Sequence, residues 1–449
     1  MVPPPTGGRR RERVAAPPPV DWVLAGRAFV HGRLQPVEIG IDAEGFVTRV
    51  ARHILAKKRH DVGDQVILPS ATDLHVHLRE PGGPETVENF DSGTRQAALA
   101  GVGLVGDMPN TDPPITTSDR VVEKVERARR RISVDLLVYA AANGARTIES
   151  LGRVAGAFKL YLAPTTGIDT LPDPGSLREL LARIAKTRLA LSVHAEAVRD
   201  FRTTEAARNP LDWGRHRPEQ AELDGLEQLL PAPESLRLHV AHVTTSESVD
   251  RLRLEGHSFE ASPHHLLLAA GDQQDSRFKV NPPLRTEQTR RRLFDRFAAG
   301  EIPCLASDHA PHSLTSKELP FDRAPAGVPG LETLLPLFLN QVRRQRISFP
   351  TLLRAACDRP ARWFGAPQGR IAPGHCASLI VVDFRVRTPI ASRTLSAPCG
   401  WTPFEGWEGI FPREHYLRGE RIVENGEHIG GPVGRVVRPE YARTLGSED

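Results

Sequence analysis

The 449-residue sequence has few cysteines and no long hydrophobic stretch. Its four cysteines show no CxxC spacing, which predicts reduced thiols in a cytosolic protein. No apolar run reaches the length of ~20 residues that a membrane-spanning helix needs. The segment from Met1 to Pro19 lacks the apolar core of a signal peptide and predicts a disordered tail rich in proline and arginine. We therefore expect a cytoplasmic protein that does not bind a membrane.

A concentrated basic surface is also missing, although the net charge is +4 and the isoelectric point is near 9.0. The arginines are scattered among acidic residues, apart from short runs at 9–11, 129–131 and 290–292. The last two runs lie in helical patterns, where they indicate solvated helix faces, so we expect no nucleic-acid partner. A hydrophobic fraction of 39% and a charged fraction of 25% are typical of a globular protein with a large domain and a smaller one.

Short β-like segments at both ends of the chain enclose a region in which strand and helix patterns alternate. The first segment, 20–68, contains hydrophobic runs separated by glycine-containing turns, and this pattern returns after about Gly374. The arrangement predicts a small β-sandwich domain that both chain ends build, from 20–68 and 374–440. The alternating region, 69–373, is typical of a parallel α/β sheet.

The alternating region contains enough strands for a closed barrel. The predicted strands are 66–77, 103–108, 133–142, 156–162, 188–194, 236–243, 257–262 and 303–308. The predicted helices between them include 91–100, 118–130, 176–187, 219–229, 245–254 and 287–299. Eight strands with intervening helices favour a (β/α)8 TIM-type barrel over an open sheet. A barrel of this kind carries its chemistry at the carboxyl ends of the strands.

The first predicted barrel strand ends in Asp73-Leu-His-Val-His-Leu-Arg-Glu-Pro-Gly82, which contains two histidines at alternate positions. Alternate side chains of a strand point to the same face, so His75 and His77 can act as paired metal ligands. Imidazole binds zinc, iron, nickel and similar ions, so the pair does not select its metal. An HxH pair alone is a weak indication, because such pairs also arise by chance.

Five of the predicted strands end in residues that can join such a site. They are His75 and His77 on the first strand, Lys159 on the fourth, His194 on the fifth, His242 on the sixth and Asp308 on the eighth. Each interrupts or ends an apolar run, where a polar side chain without a partner is costly to bury. A single residue of this kind could be a satisfied core polar group, but six at matching strand ends predict a shared ligand. We therefore predict a metal centre at the barrel mouth, with two metal ions.

Lys159 indicates the chemistry of this centre. A protonated lysine would be repelled by divalent cations, whereas a buried neutral amine can add carbon dioxide. The resulting carbamate is an anionic ligand with two oxygens, which can bridge two metal ions ~3.5–4 Å apart. Asp308 can complete the ligand set and also accept a proton. The alternative for Lys159 is a structural ion pair.

A series of longer motifs follows in order between about Ala71 and Gly406. The motifs are the run from Asp73 to Gly83, Asp107-Met-Pro-Asn-Thr, Phe158-Lys-Leu-Tyr-Leu, Ser192-Val-His-Ala-Glu, Ser262-Pro-His-His-Leu, Lys279-Val-Asn-Pro-Pro-Leu-Arg, Ala306-Ser-Asp-His-Ala-Pro-His, Pro329-Gly-Leu-Glu-Thr and Trp401-Thr-Pro-Phe-Glu-Gly. Together they resemble the motifs of the amidohydrolase superfamily, and in particular of the class I dihydroorotases. The dihydroorotase domain of the animal multifunctional pyrimidine-synthesis protein is similar in the same way.

The resemblance implies a centre of two divalent metal ions, for which zinc is the expected metal. One ion would be held by His75, His77 and Asp308, and the other by His194 and His242. Lys159, carboxylated by carbon dioxide, and a hydroxide would bridge the two ions.

The resemblance also implies the residues that bind substrate. The substrate carboxylate would be bound by Arg79, Asn110 and His312, and the ring amides by Asn281, Ala326 and Gly327, largely through backbone groups. Arginine offers a forked pair of donors to a carboxylate, which supports this assignment. Without a metal centre, Arg79 could equally be a surface charge and Asn110 a turn residue. His264 and His265, after the seventh strand, are interpreted as structural.

The implied reaction is the reversible cyclisation of N-carbamoyl-L-aspartate to L-dihydroorotate and water in UMP biosynthesis, with Asp308 transferring the proton. The alternatives are a related cyclic amidohydrolase of the hydantoinase or allantoinase type, and a non-catalytic partner of aspartate transcarbamoylase. All six metal positions are occupied by suitable residues, which argues against the non-catalytic alternative. We expect a homo-oligomer and leave open an association with aspartate transcarbamoylase. The polar segments 313–321 and 165–167 are predicted to be mobile loops over the substrate.

Overall fold

In a computed structural model of the chain, the described residues are 19–439, except for 31, 85, 144–147, 166–167, 169–171, 173, 203–205 and 231. The predicted disordered tail therefore lies outside the described residues, apart from Pro19, and so do two residues of the predicted loop 165–167. Within the described part of the chain, no helix is long and apolar enough to cross a membrane.

Strands and helices alternate through the middle of the chain, as predicted. The strands are β1 (Trp22–Val30), β2 (Arg33–Ile41), β3 (Val47–Ala51), β4 (Lys58–Pro69), β5 (Ala71–Val76), β6 (Val102–Asp107), β7 (Asp135–Ala141), β8 (Ala157–Tyr161), β9 (Leu191–His194), β10 (Leu238–Val240), β11 (Ser258–Ala261), β12 (Cys304–Leu305), β13 (Leu379–Val382), β14 (Thr388–Pro389), β15 (Glu408–Gly409), β16 (Glu414–Leu417), β17 (Glu420–Glu424) and β18 (Glu427–His428). The helices are α1 (Phe90–Ala100), α2 (Ser118–Ala128), α3 (Ile148–Gly152), α4 (Pro174–Thr187), α5 (Pro210–His216), α6 (Glu219–Leu229), α7 (Ser246–Leu254), α8 (Pro263–Leu267), α9 (Glu287–Ala298), α10 (Leu314–Lys317), α11 (Leu334–Arg343), α12 (Phe349–Leu353) and α13 (Arg359–Phe364).

The strands β5 to β12 form the predicted barrel. They are hydrogen-bonded in sequence order, and every neighbouring pair is parallel. The segment after β12 closes the circle, because Val76 and His309 form a parallel bridge and the His77 amide donates to the His309 carbonyl at 2.8 Å. The prediction of a (β/α)8 barrel is confirmed.

The barrel strands are buried on both faces because the helices cover their outer side. In β6, all six residues are buried, which explains why the strand reads as a continuous apolar run. The preceding helix, α1, begins at an Asn89 cap that accepts from the Ser92 amide, and it packs Phe90 into the core. It ends at Gly101, which has a φ of 81° and can take this left-handed conformation without a Cβ clash. These caps set the point at which the chain turns into β6.

The two chain ends build a second sheet. Its order is β18-β17-β16-β13-β4-β1-β2-β3, one continuous sheet in its hydrogen bonding. The predicted strand 66–77 is divided at Ser70: the Ser70 amide donates to the Ser378 carbonyl of this sheet, whereas the Ala71 amide donates to the Gly101 carbonyl of the barrel. An apolar run cannot reveal such a change of partner, because both halves are buried. The predicted bounds of the two domains stay a prediction.

Candidate metal centre and substrate pocket

A pocket lies at the carboxyl ends of the barrel strands and brings together nearly all of the predicted site residues. Its lining contains His75, His77, Arg79, Asn110, Lys159, His194, His242, Asn281, Asp308, Ala326 and Gly327. Tyr161, Pro164, Thr165 and Ala310 complete the lining. These residues are far apart in the sequence, and the parallel barrel places them at one edge because the carboxyl ends of its strands coincide.

Three of the predicted ligands form a compact cluster. The Nε2 atoms of His75 and His77 lie 3.3 and 3.4 Å from the same carboxylate oxygen of Asp308. One ligand atom from each residue lies within 4.8 Å of the other two, which is a geometry that can hold a metal ion. Burial lowers the pKa of His75 to about 4 and that of His77 well below its usual value, so both imidazoles are neutral, as metal ligation requires.

The second pair of predicted ligands is equally close. The Nδ1 atom of His194 lies 3.1 Å from the Nε2 atom of His242, while the Nε2 atom of His194 lies 2.9 Å from Glu196. The Nδ1 atom of His242 is buried and has no hydrogen-bond partner among the described residues. The two converging nitrogens, Nδ1 of His194 and Nε2 of His242, can together bind a cation.

The backbone of the site is held in an uncommon conformation. Arg79, His242 and Asp308 have φ values of 58°, 40° and 47°, in the left-handed region that non-glycine residues rarely adopt. Each of these residues follows the end of a barrel strand. The left-handed conformation turns the backbone there, and the side chain lines the pocket. Such conformations cost about 1–3 kcal/mol each, and they persist where the surrounding structure holds them.

Lys159 is fully buried on β8 and has no carboxylate within ion-pair distance in the described chain. Its Nζ atom has one hydrogen-bond contact, 3.5 Å to the Ser192 hydroxyl. Burial lowers the pKa of Lys159 to about 8, although the negative charges of Glu260 and Asp308 act in the opposite direction. The structural ion pair considered from the sequence is therefore not formed, and a neutral amine is accessible near physiological pH.

Glu260 is a supporting residue that the sequence analysis missed. Its two carboxylate oxygens lie 2.6 Å from the Nδ1 atom of His75 and 2.9 Å from the Nε2 atom of His239. Burial alone would raise the pKa of Glu260, but the two histidines outweigh it and hold the pKa below its usual value. The bond fixes the His75 tautomer, with the proton on Nδ1 and the lone pair on Nε2 facing the site. A charged residue inside the buried strand Ser258-Phe-Glu-Ala was the available signal.

Glu196 supports the second histidine pair in the same way. It accepts from His194 and also pairs with the buried guanidinium of Arg217. Burial would raise the pKa of Glu196, but Arg217 and His194 hold it below its usual value. The motif Ser192-Val-His-Ala-Glu contained this residue, but only the fold shows that its side chain turns back to the histidine.

Arg79 brings a positive charge to the pocket without a carboxylate partner. Its Nε atom donates to the Pro311 carbonyl at 3.1 Å, and one Nη atom lies 3.2 Å from the Nε2 atom of His312. No described carboxylate lies within ion-pair distance of it, and burial lowers its pKa to about 10. A half-buried guanidinium without a carboxylate partner can bind an anion that enters the pocket.

The other predicted carboxylate-binding residues contact Arg79 or the metal ligands. The side-chain oxygen of Asn110 lies 2.6 Å from the Nδ1 atom of His77, so its amide nitrogen is left for another acceptor. His312 does not line the pocket; its Nε2 atom contacts Arg79 and lies 3.0 Å from the Ala326 carbonyl. Asn110 thus also orients a metal ligand, and His312 lies behind the guanidinium.

The two adjacent histidines that were interpreted as structural differ from each other. His265 is satisfied on both nitrogens, by the Ser262 hydroxyl at 3.0 Å and the Pro282 carbonyl at 2.9 Å. His264 has a buried Nε2 atom without a hydrogen-bond partner among the described residues, 3.9 Å from Asp308. The structural interpretation therefore describes His265 well, whereas His264 lies against the candidate site.

Sequence comparison identifies relatives over nearly the whole chain. A family model described as dihydro-orotase-like matches residues 64–162. A dihydroorotase from Halobacterium salinarum is 36% identical over 420 residues, which cover 90% of this chain and 94% of that protein. A dihydroorotase from Archaeoglobus fulgidus is 33% identical over 429 residues, which cover 92% of this chain and 100% of that protein.

Solved structures share the fold. An L-hydantoinase from Arthrobacter aurescens superimposes with a TM-score of 0.85 at 24% identity, over 93% of this chain and 100% of that chain. A dihydropyrimidinase from Brevibacillus agri has a TM-score of 0.83 at 23% identity, over 92% of this chain and 98% of that chain. Identities this low show the fold alone, whereas the archaeal relatives exceed 30% identity across almost the full length. The chain therefore belongs to the dihydroorotase family.

Proposed function

We propose that the protein is a dihydroorotase, which interconverts N-carbamoyl-L-aspartate and L-dihydroorotate in pyrimidine biosynthesis. The observation that carries this proposal is the unpaired guanidinium of Arg79 beside the cluster of metal-ligating side chains. Dihydroorotate has a ring amide and a carboxylate, whereas hydantoin and dihydropyrimidine rings have no carboxylate. Only dihydroorotate would therefore form an ion pair with the Arg79 guanidinium.

We propose that the site holds two divalent metal ions, expected to be zinc. The neutral imidazoles, the Asp308 carboxylate and the facing nitrogens of His194 and His242 fit this assignment. His75, His77 and Asp308 would hold one ion, His194 and His242 the other, and Lys159 would bridge them after carboxylation. Bound ions of this kind supply a nucleophile at neutral pH and polarise the substrate carbonyl.

Asp308 is the residue proposed to transfer the proton. Burial raises the pKa of its carboxyl, although His75 and Lys159 act in the opposite direction, and a raised pKa makes the carboxylate a better proton acceptor. In ring opening, Asp308 would deliver its proton to the leaving amide nitrogen. In ring closure it would take the proton from the carbamoyl nitrogen as that nitrogen attacks the side-chain carboxyl.

The substrate would be oriented by groups on the opposite side of the pocket. Arg79 would bind the carboxylate through its forked donors, with the amide nitrogen of Asn110 as an additional donor. The backbone of Asn281, Ala326 and Gly327 lines the pocket where the ring amides would lie. His312 would act through Arg79 and Ala326, since it contacts both.

The proposal is tested by measuring turnover in both directions with metal-loaded protein. L-dihydroorotate and N-carbamoyl-L-aspartate should be interconverted, and dihydrouracil, an uncharged ring of the same size, should be a poor substrate. Preference for dihydrouracil or hydantoin would replace the proposal with a hydantoinase-type activity. Absence of turnover with every ring, at full metal content, would favour the non-catalytic alternative.

We also propose a cytoplasmic homo-oligomer, on the basis of the sequence alone. Light scattering on the purified protein tests the oligomeric state. Co-purification with aspartate transcarbamoylase from the same cells tests whether the two proteins associate.

A further inference from the structure

Lys317, at the end of α10, is a fully buried lysine outside the metal cluster. Its Nζ atom donates to three backbone carbonyls, those of Lys279 at 3.1 Å, Pro325 at 2.9 Å and Gly327 at 3.0 Å. An ammonium group has three donors, so all of them are used. No described carboxylate lies within ion-pair distance of the Lys317 ammonium, so the three carbonyl dipoles provide its hydrogen-bonded solvation. The ammonium group therefore links backbone segments that are distant from each other in the chain.

The three carbonyls belong to two segments that line the substrate pocket. Lys279 is two residues before Asn281, and Pro325 and Gly327 are on either side of Ala326. The segments also contact each other directly, because the Gly327 amide donates to the Lys279 carbonyl at 2.9 Å. One buried side chain thus holds together the two backbone segments on which ring recognition depends.

The backbone around Gly327 is closely confined. Gly327 has a φ of 137°, and a Cβ atom there would lie 2.5 Å from the Ala310 carbonyl oxygen. The carbonyl of Ala326 faces away from the pocket to His312, whereas the Ala326 amide donates to no described residue. An unused amide at a pocket wall is a donor for a ligand carbonyl. The direction of the Ala326 amide depends on the carbonyls of Pro325 and Gly327, and Lys317 donates to both.

We propose that Lys317 is a positioning residue for substrate: it clamps the segments 279–281 and 325–327 so that their backbone groups meet the ring amides. This inference rests on the proposed dihydroorotase function. Lys317 touches no reacting atom, so its loss should weaken substrate binding rather than change the chemical step. The segment 313–321, expected from the sequence to be a mobile loop, contains Lys317. The hydrogen bonds of Lys317 would then hold this segment in position.

The clamp should depend on pH. Burial lowers the pKa of Lys317 to about 7, the charge of Lys279 lowers it further, and Asp275 acts in the opposite direction. The Trp401 ring also faces it at 5.8 Å, and His312, whose pKa burial holds well below its usual value, stays neutral. A neutral amine has only two donors, so one carbonyl loses its partner. The KM for dihydroorotate should therefore be low below about pH 7 and should rise above it.

The experiment compares substitutions at Lys317 with a matched cation elsewhere. Lys317→Met should raise the KM for L-dihydroorotate roughly ten- to hundredfold while kcat stays within about threefold, the effect of losing hydrogen bonds that serve binding alone. Lys317→Arg keeps its charge at every pH used, so its KM should show no rise between pH 6 and pH 8. The control is Arg237→Met. Arg237 directly precedes β10, does not line the pocket, and donates to the backbone carbonyls of Arg362 and Trp363 in α13. Its KM should equal that of the wild type.

An unchanged KM in a folded Lys317→Met variant, or a loss confined to kcat, would overturn the inference. If that variant does not fold, the pH series decides: identical KM profiles for the wild type and Lys317→Arg would also overturn it. Absence of turnover in the wild type refutes the proposed function instead, so the two failures are distinguishable. Circular dichroism on each variant separates loss of fold from loss of binding.

Discussion

The Nδ1 atom of His194 and the Nε2 atom of His242 face each other at 3.1 Å at the barrel mouth, where the adjacent strands β9 and β10 end. Burial lowers the pKa of both imidazoles, so at neutral pH neither ring carries a charge. Glu196 accepts from the outer nitrogen of His194, which leaves the inner nitrogen with its lone pair. Two inward lone pairs are complementary to a cation, and the same holds for His75 and His77 beside Asp308.

Removal of the metal should abolish turnover and leave the fold intact. The barrel has a large apolar core of its own, whereas catalysis requires an activated nucleophile at neutral pH. We expect protein treated with a chelator to retain its circular dichroism spectrum, to lose activity, and to regain activity with zinc. Full activity in exhaustively demetallated protein would contradict the proposed centre.

Replacement of Lys159 should remove the proposed bridging anion. Lys159→Ala should lose activity, because two cations without a bridge repel each other. Small carboxylic acids such as acetate or propionate should partly restore turnover by occupying the vacated space. Mass spectrometry under non-denaturing conditions, showing an unmodified Lys159 in active metal-loaded protein, would argue against carboxylation.

Replacement of Arg79 tests the identity of the substrate. Arg79→Ala should lower kcat/KM for dihydroorotate by roughly thirty- to several-thousandfold, or about 2–5 kcal/mol, because the substrate carboxylate loses its charged partner. Arg79→Lys should recover only part of this, since an ammonium cannot reproduce the forked geometry. Arg129→Ala, at an exposed position directly after α2, serves as the control. Unchanged turnover of dihydroorotate by Arg79→Ala would contradict the substrate assignment.

Glu260 should control metal affinity without contacting the metal. Glu260→Gln keeps the side-chain volume but replaces a carboxylate that serves both His75 and His239. Removing support of this kind weakens metal binding by about 10–100-fold, which a competitive chelator titration would measure. An unchanged affinity would mean that the orientation of His75 does not need the carboxylate.

His415 should make stability depend on pH. It is fully buried on β16, its Nδ1 atom donates to the Ala98 carbonyl at 2.8 Å, and burial lowers its pKa to about 4. The unfolded chain has a histidine pKa of about 6.5, so between these values the unfolded state binds more protons, and stability falls as pH falls. His415 should lower the free energy of unfolding by about 3 kcal/mol as the pH falls from 7 to 4. Urea unfolding at pH 7 and pH 4 measures the free energy of unfolding at each pH. This free energy should fall less for His415→Gln than for the wild type, and an equal fall in both proteins would contradict the assignment.

The residues of the proposed metal centre could be selected from the sequence because each interrupts or ends an apolar run. Lys159 within Ala157-Phe-Lys-Leu-Tyr and His194 after Leu191-Ser-Val are conspicuous, since such side chains are costly to bury without a ligand or partner. Barrel topology then places all strand ends together. Glu260 had the same signal, because it is a charged residue inside the buried strand β11.

Contacts between distant segments were not predictable. Nothing near Asn110 in the chain shows that its oxygen meets His77, and nothing near Lys317 shows that its ammonium meets carbonyls before and after it. The end of β4 at Pro69 was equally hidden, because both sheets bury the run on either side of Ser70. Local patterns carry no information about which of two buried partners a strand selects.

By itself, the sequence determined the alternation of strands and helices and the residue types at the strand ends, because burial and backbone periodicity impose both locally. Only the tertiary structure decided which nitrogen of each histidine faces the site, which carboxylates support the ligands, and that Arg79 has no carboxylate partner in the described chain. Some of these contacts join residues that the chain separates by more than a hundred positions, as with His75 and Glu260, and even the contact between His194 and Glu196 depends on the direction that the fold gives the Glu196 side chain. Closure of the barrel sets these distances, and with them the protonation and charge of the site.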